Sequence, residues 1–174
     1  FTGFSLEGLK SDFFCVDKNK YTYDEYKKTG EALFDEDKTS VNELRKTYEK
    51  NGRLDGKMME ADWFPKVNAD VFLSHSHGDR CKTLALAGWL SKKCGVRAFV
   101  DSAIWGLADD LLKELDDEYC RKKDGKRYDY RKRNVTTSHV HMMLNTALTK
   151  MIDKCECLIF VNTPKSIVLS EEVG

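Results

Sequence analysis

The stretch Asp70-Val71-Phe72-Leu73-Ser74-His75-Ser76-His77-Gly78-Asp79-Arg80 decides the fold. Its first half is a short apolar run without polar alternation, the pattern of a strand buried on both faces. It enters a polar loop, and a helix-like stretch follows with Leu84, Leu86, Ala87 and Leu90 apolar and Gly95 as a stop signal. Val96-Arg97-Ala98-Phe99-Val100-Asp101 reads as a second strand. Strand, helix and strand within about 30 residues make a βαβ unit, which requires parallel strands joined by a right-handed crossover.

Downstream, residues 106–120 carry Leu107, Leu111, Leu112, Leu115 and Tyr119 at helical spacing. Val140, Met143, Leu144, Ala147, Leu148 and Met151 form a second helical stripe, expected over Ser138–Met151. Cys157 to Val161 is a third buried strand, ending at Asn162-Thr163-Pro164. The order is β, α, β, α, α, β. In open α/β sheets a ligand sits outside the carboxyl ends of the strands, so residues 74–80, 101–106 and 162–166 are the candidate segments. Upstream, residues 1–67 are dense in charge and aromatics. Ser40-Val41-Asn42-Glu43 fits a capping box, and Asn51-Gly52 a helix stop. This predicts a helical extension over 1–67 and an α/β domain over 68–174.

The 174 residues hold 29 Lys plus Arg against 29 Asp plus Glu, so the formal net charge is zero. A dedicated DNA-coating domain is usually strongly basic, so nucleic acid is an unfavoured partner. Residues 121–133 do carry eight basic residues against two acidic ones, with Tyr128 and Tyr130 interleaved. The acidic helix before them predicts mutual neutralisation over a stacking surface for bases. No apolar run approaches the roughly 20 residues of a membrane span. The six cysteines include no C-x-x-C pair, which predicts reduced thiols, a cytoplasmic protein and no structural zinc.

His75-x-His77-x-Asp79 nearly matches the H-x-H-x-D-H metal string of metallo-β-lactamase-like hydrolases, in which a bound metal activates a water. Arg80 stands where that string needs its last histidine. His139 and His141, two apart on a helix, point to nearly opposite faces and make a poor ligand pair. The metal reading is the remote alternative, and no metal ligand is assigned.

Asp70-Val71-Phe72-Leu73-Ser74-His75-Ser76 resembles the first strand and following loop of the TIR (Toll/interleukin-1 receptor) domain family, where a D-V-F-[LI]-S-[HY]-S pattern is typical. The amphipathic helix, the strand ending at Asp101, the loop Asp101-Ser102-Ala103-Ile104-Trp105-Gly106 and the Leu144–Thr163 helix and strand follow in the family's order. The resemblance covers about 69–174 and is similar to a bacterial TIR domain with an enlarged segment at 107–137. It implies a flavodoxin-like parallel sheet of TIR type, with three of five strands in view and the C-terminal part beyond Gly174. It implies NAD+ as substrate rather than cofactor, with nicotinamide–ribose cleavage serving bacterial immune (anti-phage) signalling. The residues so implied in NAD+ contact are Ser74, Ser76, His77, Gly78, Arg80, Asp101 and Trp105. The family's catalytic glutamate lies on a helix after the third strand. Glu171 and Glu172 come too early to carry that role, so the catalytic residue is unassigned and expected past Gly174. Self-association through TIR–TIR contacts is also implied. A non-catalytic interaction module using the loop around Trp105 is the alternative.

Overall fold

The computed structural model describes residues 2–10, 13–14, 22–42, 49–50, 53–64, 66–104, 108–122, 127–164 and 166. In chain order the elements are β1 (Thr2–Glu7), α1 (Tyr23–Asn42), the short antiparallel pair β2 (Glu49–Lys50) and β3 (Arg53–Leu54), and α2 (Gly56–Trp63). Then come β4 (Val71–His75), a 3-10 turn (His77–Asp79), α3 (Arg80–Cys94), β5 (Ala98–Val100) and α4 (Asp101–Ile104). Last are α5 (Ala108–Leu115), which runs into a π-helical turn (Asp116–Cys120), α6 (Tyr130–Lys154) and β6 (Cys157–Asn162).

The main sheet has four strands in the order β1-β6-β4-β5, and every pairing is parallel. The apolar run at 71–73 takes an interior place, with Leu73 opposite Val100 on one side and Ile159 on the other. Leu73, Phe99, Val100 and Val161 are fully buried, each worth roughly 1.5–3 kcal/mol of transfer free energy. The chain moves one strand outward from β4 to β5 through α3, then back past β4 to β6 through α6. Right-handed crossovers therefore put α3 and α6 on opposite faces of the sheet.

One expectation needs correction. Residues 1–67 are not helical alone, because Thr2–Glu7 forms an edge strand paired along its length with β6. The sheet thus has a fourth strand beside the three read from the sequence. The reason is periodicity: Thr-Gly-Phe-Ser-Leu-Glu is short, carries a glycine and stays largely exposed, so no apolar run marks it. The expected capping box at Ser40–Glu43 is not a helix start either. Ser40 to Asn42 lie inside α1, and Glu43 is outside the described residues. The glutamate half of such a box sits at Thr22-x-x-Glu25, where the Glu25 carboxylate accepts from the Thr22 backbone N–H (2.5 Å) and hydroxyl (3.1 Å). Those bonds, the backbone one first, hold the Glu25 carboxyl below the usual range.

Helix α1 packs on α3 at backbone distance. A Cβ on Gly88 would fall 1.9 Å from the Tyr26 carbonyl oxygen, and one on Gly30 would fall 2.1 Å from that of Leu84. Glycine is needed there for the approach itself. Helix α3 ends where the sequence predicts. Gly95 takes the left-handed conformation (φ 67°) and its N–H donates to the Ser91 carbonyl (3.1 Å), an αL cap.

Helix α6 starts eight residues before the predicted Ser138. Asp129 caps it by accepting from the Lys132 N–H (3.1 Å). Arg131, Lys132 and Arg133 then lie at the positive end of the helix, which is locally unfavourable. Tertiary contacts offset this: Arg133 pairs with the buried Asp116 (2.7 Å), and the Thr136 hydroxyl donates to the same carboxylate (3.0 Å).

Candidate functional site

The parallel arrangement brings the carboxyl ends of β4, β5, β6 and β1 to one edge of the sheet, so Ser74–His75, Asp101–Ser102, Asn162–Thr163 and Glu7 share it. Four chain segments leave this edge, and side chains tie those after β4, β5 and β6 to one another.

The first tie joins the β4 and β5 ends. The His75 side chain is 1% exposed. Its Nε2 hydrogen-bonds the Ser102 Oγ (2.8 Å), and its Nδ1 lies 3.4 Å from the Leu73 carbonyl and 3.5 Å from Asp101 Oδ1. Asp101 Oδ1 also accepts from the Ser102 backbone N–H (2.7 Å). Strand alternation puts His75 on the face of Leu73, so its ring turns inward while Ser74 takes the other face.

The second tie joins the loops after β4 and β6. Asp79 is 1% exposed and Thr163 8% exposed. The Thr163 hydroxyl donates to Asp79 Oδ2 in a short bond. Asp79 Oδ1 has no hydrogen bond, and its nearest cation is Lys82 Nζ at 3.4 Å. The Thr83 hydroxyl donates to the Asp79 carbonyl (3.1 Å), and the Thr163 N–H donates to the Ser166 hydroxyl (3.0 Å). A buried carboxylate is costly to desolvate, so this one is retained with a donor and a cation beside it.

Ser74, Ser76, Arg80 and Asp101 are half-buried, and Gly78 is exposed. Ser76 holds the N-cap position of the 3-10 turn with extended backbone, but its side chain makes no cap bond. Arg80 opens α3 and has no ion pair among the described residues. His77 lies in the turn with its side chain outside the described residues, and Trp105 lies outside them altogether. The edge therefore presents hydroxyls, a guanidinium suited to phosphate, and the partly exposed Asp101 carboxylate. Sequence reading missed two contributors. Glu7 arrives on the unread strand β1, opposite Asn162. Asp79, read as one member of a metal string, serves as the buried clasp.

In that string His75 Nε2 is bonded to the Ser102 hydroxyl and Asp79 Oδ2 to the Thr163 hydroxyl. Among the described residues, no group of three His, Cys, Asp or Glu is placed to hold an ion.

Part of the basic stretch is occupied by its own neighbours. The Tyr128 ring lies between Arg121 (5.4 Å) and Arg133 (5.2 Å), whose guanidiniums pair with Asp117 and Asp116. The Tyr128 hydroxyl donates to Asp117, which raises the phenol's pKa and lowers the carboxyl's. Among the described residues five cysteines are free thiols, and burial pushes those of Cys120 and Cys155 up from the usual range. Among the described residues no helix is long and apolar enough to cross a membrane. The chain is a parallel α/β protein, and comparison with protein-family models, curated proteins and solved structures returns no match.

Proposed function

We propose that the chain is a TIR-type signalling module whose strand-end face takes NAD+ and serves cleavage of its nicotinamide–ribose bond in bacterial immune signalling. One observation carries the reading. The Asp70–Ser76 string, which resembles the family's first strand and loop, lies on an interior strand of an all-parallel sheet, with its polar end beside those of β5 and β6.

In this reading Arg80 meets the pyrophosphate, and the hydroxyls of Ser74 and Ser76 with the Gly78 backbone meet the dinucleotide. Asp101 and, as the resemblance implies, His77 and Trp105 shape the nicotinamide side. The C–N bond breaks heterolytically, its electron pair passes to the pyridinium nitrogen, and neutral nicotinamide leaves. The oxocarbenium-like ribose then takes water, or closes on an internal nucleophile. A carboxylate beside the ribose stabilises that cation. Asp101 and Glu7 are described carboxylates on this edge, and the catalytic one is left unassigned.

The protein, incubated with NAD+ under assembly-promoting conditions, is expected to release nicotinamide. Arg80→Ala should raise KM about tenfold through loss of one phosphate contact. Absence of nicotinamide release would sink the enzymatic reading. A second reading, a non-catalytic assembly module, is favoured by the open edge at β1, where Phe4 is 58% exposed. Concentration-dependent self-association without turnover, read by sedimentation, would support it.

A further inference from the structure

At the other pole of the sheet, α2 and the last turns of α6 border a groove of about 410 Å³. These helices lead into the amino ends of β4 and β6, so the groove lies opposite the strand-end face. Its volume is in the range of small-molecule sites, about 300–1,000 Å³. The floor is apolar: Phe64, Ala147 and Met151 are buried and line it, with Ala61 at the rim.

The rest of the rim is Lys57, Glu60, Lys66 and Lys150. Glu60 is taken by Lys150 in a short ion pair. Lys154, one turn further along α6, donates to the Val67 carbonyl (3.0 Å). Lys57 and Lys66 have no ion pair among the described residues. Lys57 also lies in the first turn of α2, at the helix's positive end, where a cation is unfavourable unless an anion is near. Asp55 is occupied as the cap, its Oδ1 accepting from the N–H groups of Lys57 (3.0 Å) and Met58 (3.2 Å). An apolar floor with two ammonium groups above it that make no ion pair among the described residues is complementary to a molecule with one charged end.

We propose that this groove binds a small amphipathic anion, a carboxylate or similar head on an apolar body. The head is held by Lys57 and Lys66, and the body lies on Phe64, Ala147 and Met151. The inference does not depend on NAD+ chemistry. Octanoate, octanol and inorganic phosphate serve as probes, followed by emission of the buried Trp63 on α2 and by the shift in Tm. Octanoate is expected to saturate and to raise Tm, because it binds only the folded chain. Octanol, lacking the charge, and phosphate, lacking the apolar body, should each bind at least about tenfold more weakly. The charge reversal Lys57→Glu with Lys66→Glu should weaken octanoate about tenfold. Ala61→Trp should weaken it comparably by filling the rim without changing charge, and Lys92→Glu with Lys93→Glu on α3 should leave it unaltered. Equal binding of all three probes, no saturation by octanoate, or indifference to the Lys57/Lys66 reversal would overturn the proposal.

Discussion

A carboxylate withdrawn from water holds two loops together only while its partners stay in reach, and Asp79 is in that position. Its Oδ2 takes the Thr163 hydroxyl and its Oδ1 has only the half-exposed Lys82 nearby. Removing one side of a buried pair leaves the other desolvated, which costs about 1–3 kcal/mol. Thr163→Val should therefore lower the unfolding free energy by that amount, read as a lower urea midpoint with the m-value unchanged, and Asp79→Ala combined with Thr163→Val should cost less than the sum of the two. Strict additivity would mean that the pair contributes no coupling. Serine, histidine and aspartate in the loop after β4 were legible as a polar cluster. Which of them turns inward was not, because facing depends on strand register and on what the third strand brings alongside.

At the scale of elements, Gly30 and Gly88 show how a helix can be read correctly and its packing missed. Alanine is the better helix former by about 1 kcal/mol, so local propensity alone favours Gly88→Ala. The close approach reverses that sign. A methyl group 1.9 Å from the Tyr26 carbonyl oxygen meets backbone that no rotamer change can move. Gly88→Ala should destabilise by about 1–3 kcal/mol in net, measured by thermal or urea unfolding. Gly56→Ala, where nothing lies within 4 Å, should be neutral or slightly stabilising. Helix α6 teaches the converse lesson. Its basic first turn hid the true start, because Asp116 and Tyr119 from the π-helical turn folded back beside it supply the contacts that make the start tolerable.

For the whole molecule, stability should grade across the sheet. β4 is buried and paired on both sides, whereas β1 is an exposed edge paired on one. Native-state hydrogen exchange should give the amides of Phe72 and Leu73 protection near the global unfolding free energy, with those of Phe4 and Leu6 released by local opening. Equal protection in both strands would show that β1 opens only with the rest of the fold. The βαβ unit at 70–101, the third strand and the helix stop at Gly95 were legible along the chain, because apolar runs, helical periodicity and a left-handed glycine are local properties. The sequence also marked the polar strand ends at 74–80, 101–106 and 162–166 as one edge, since parallel pairing leaves them no other arrangement. That Thr2–Glu7 joins the sheet, that Asp79 is a clasp and that His75 faces inward became visible only in the folded chain. Each depends on a partner 27 to 155 positions away along the chain, and no local pattern records which segments meet.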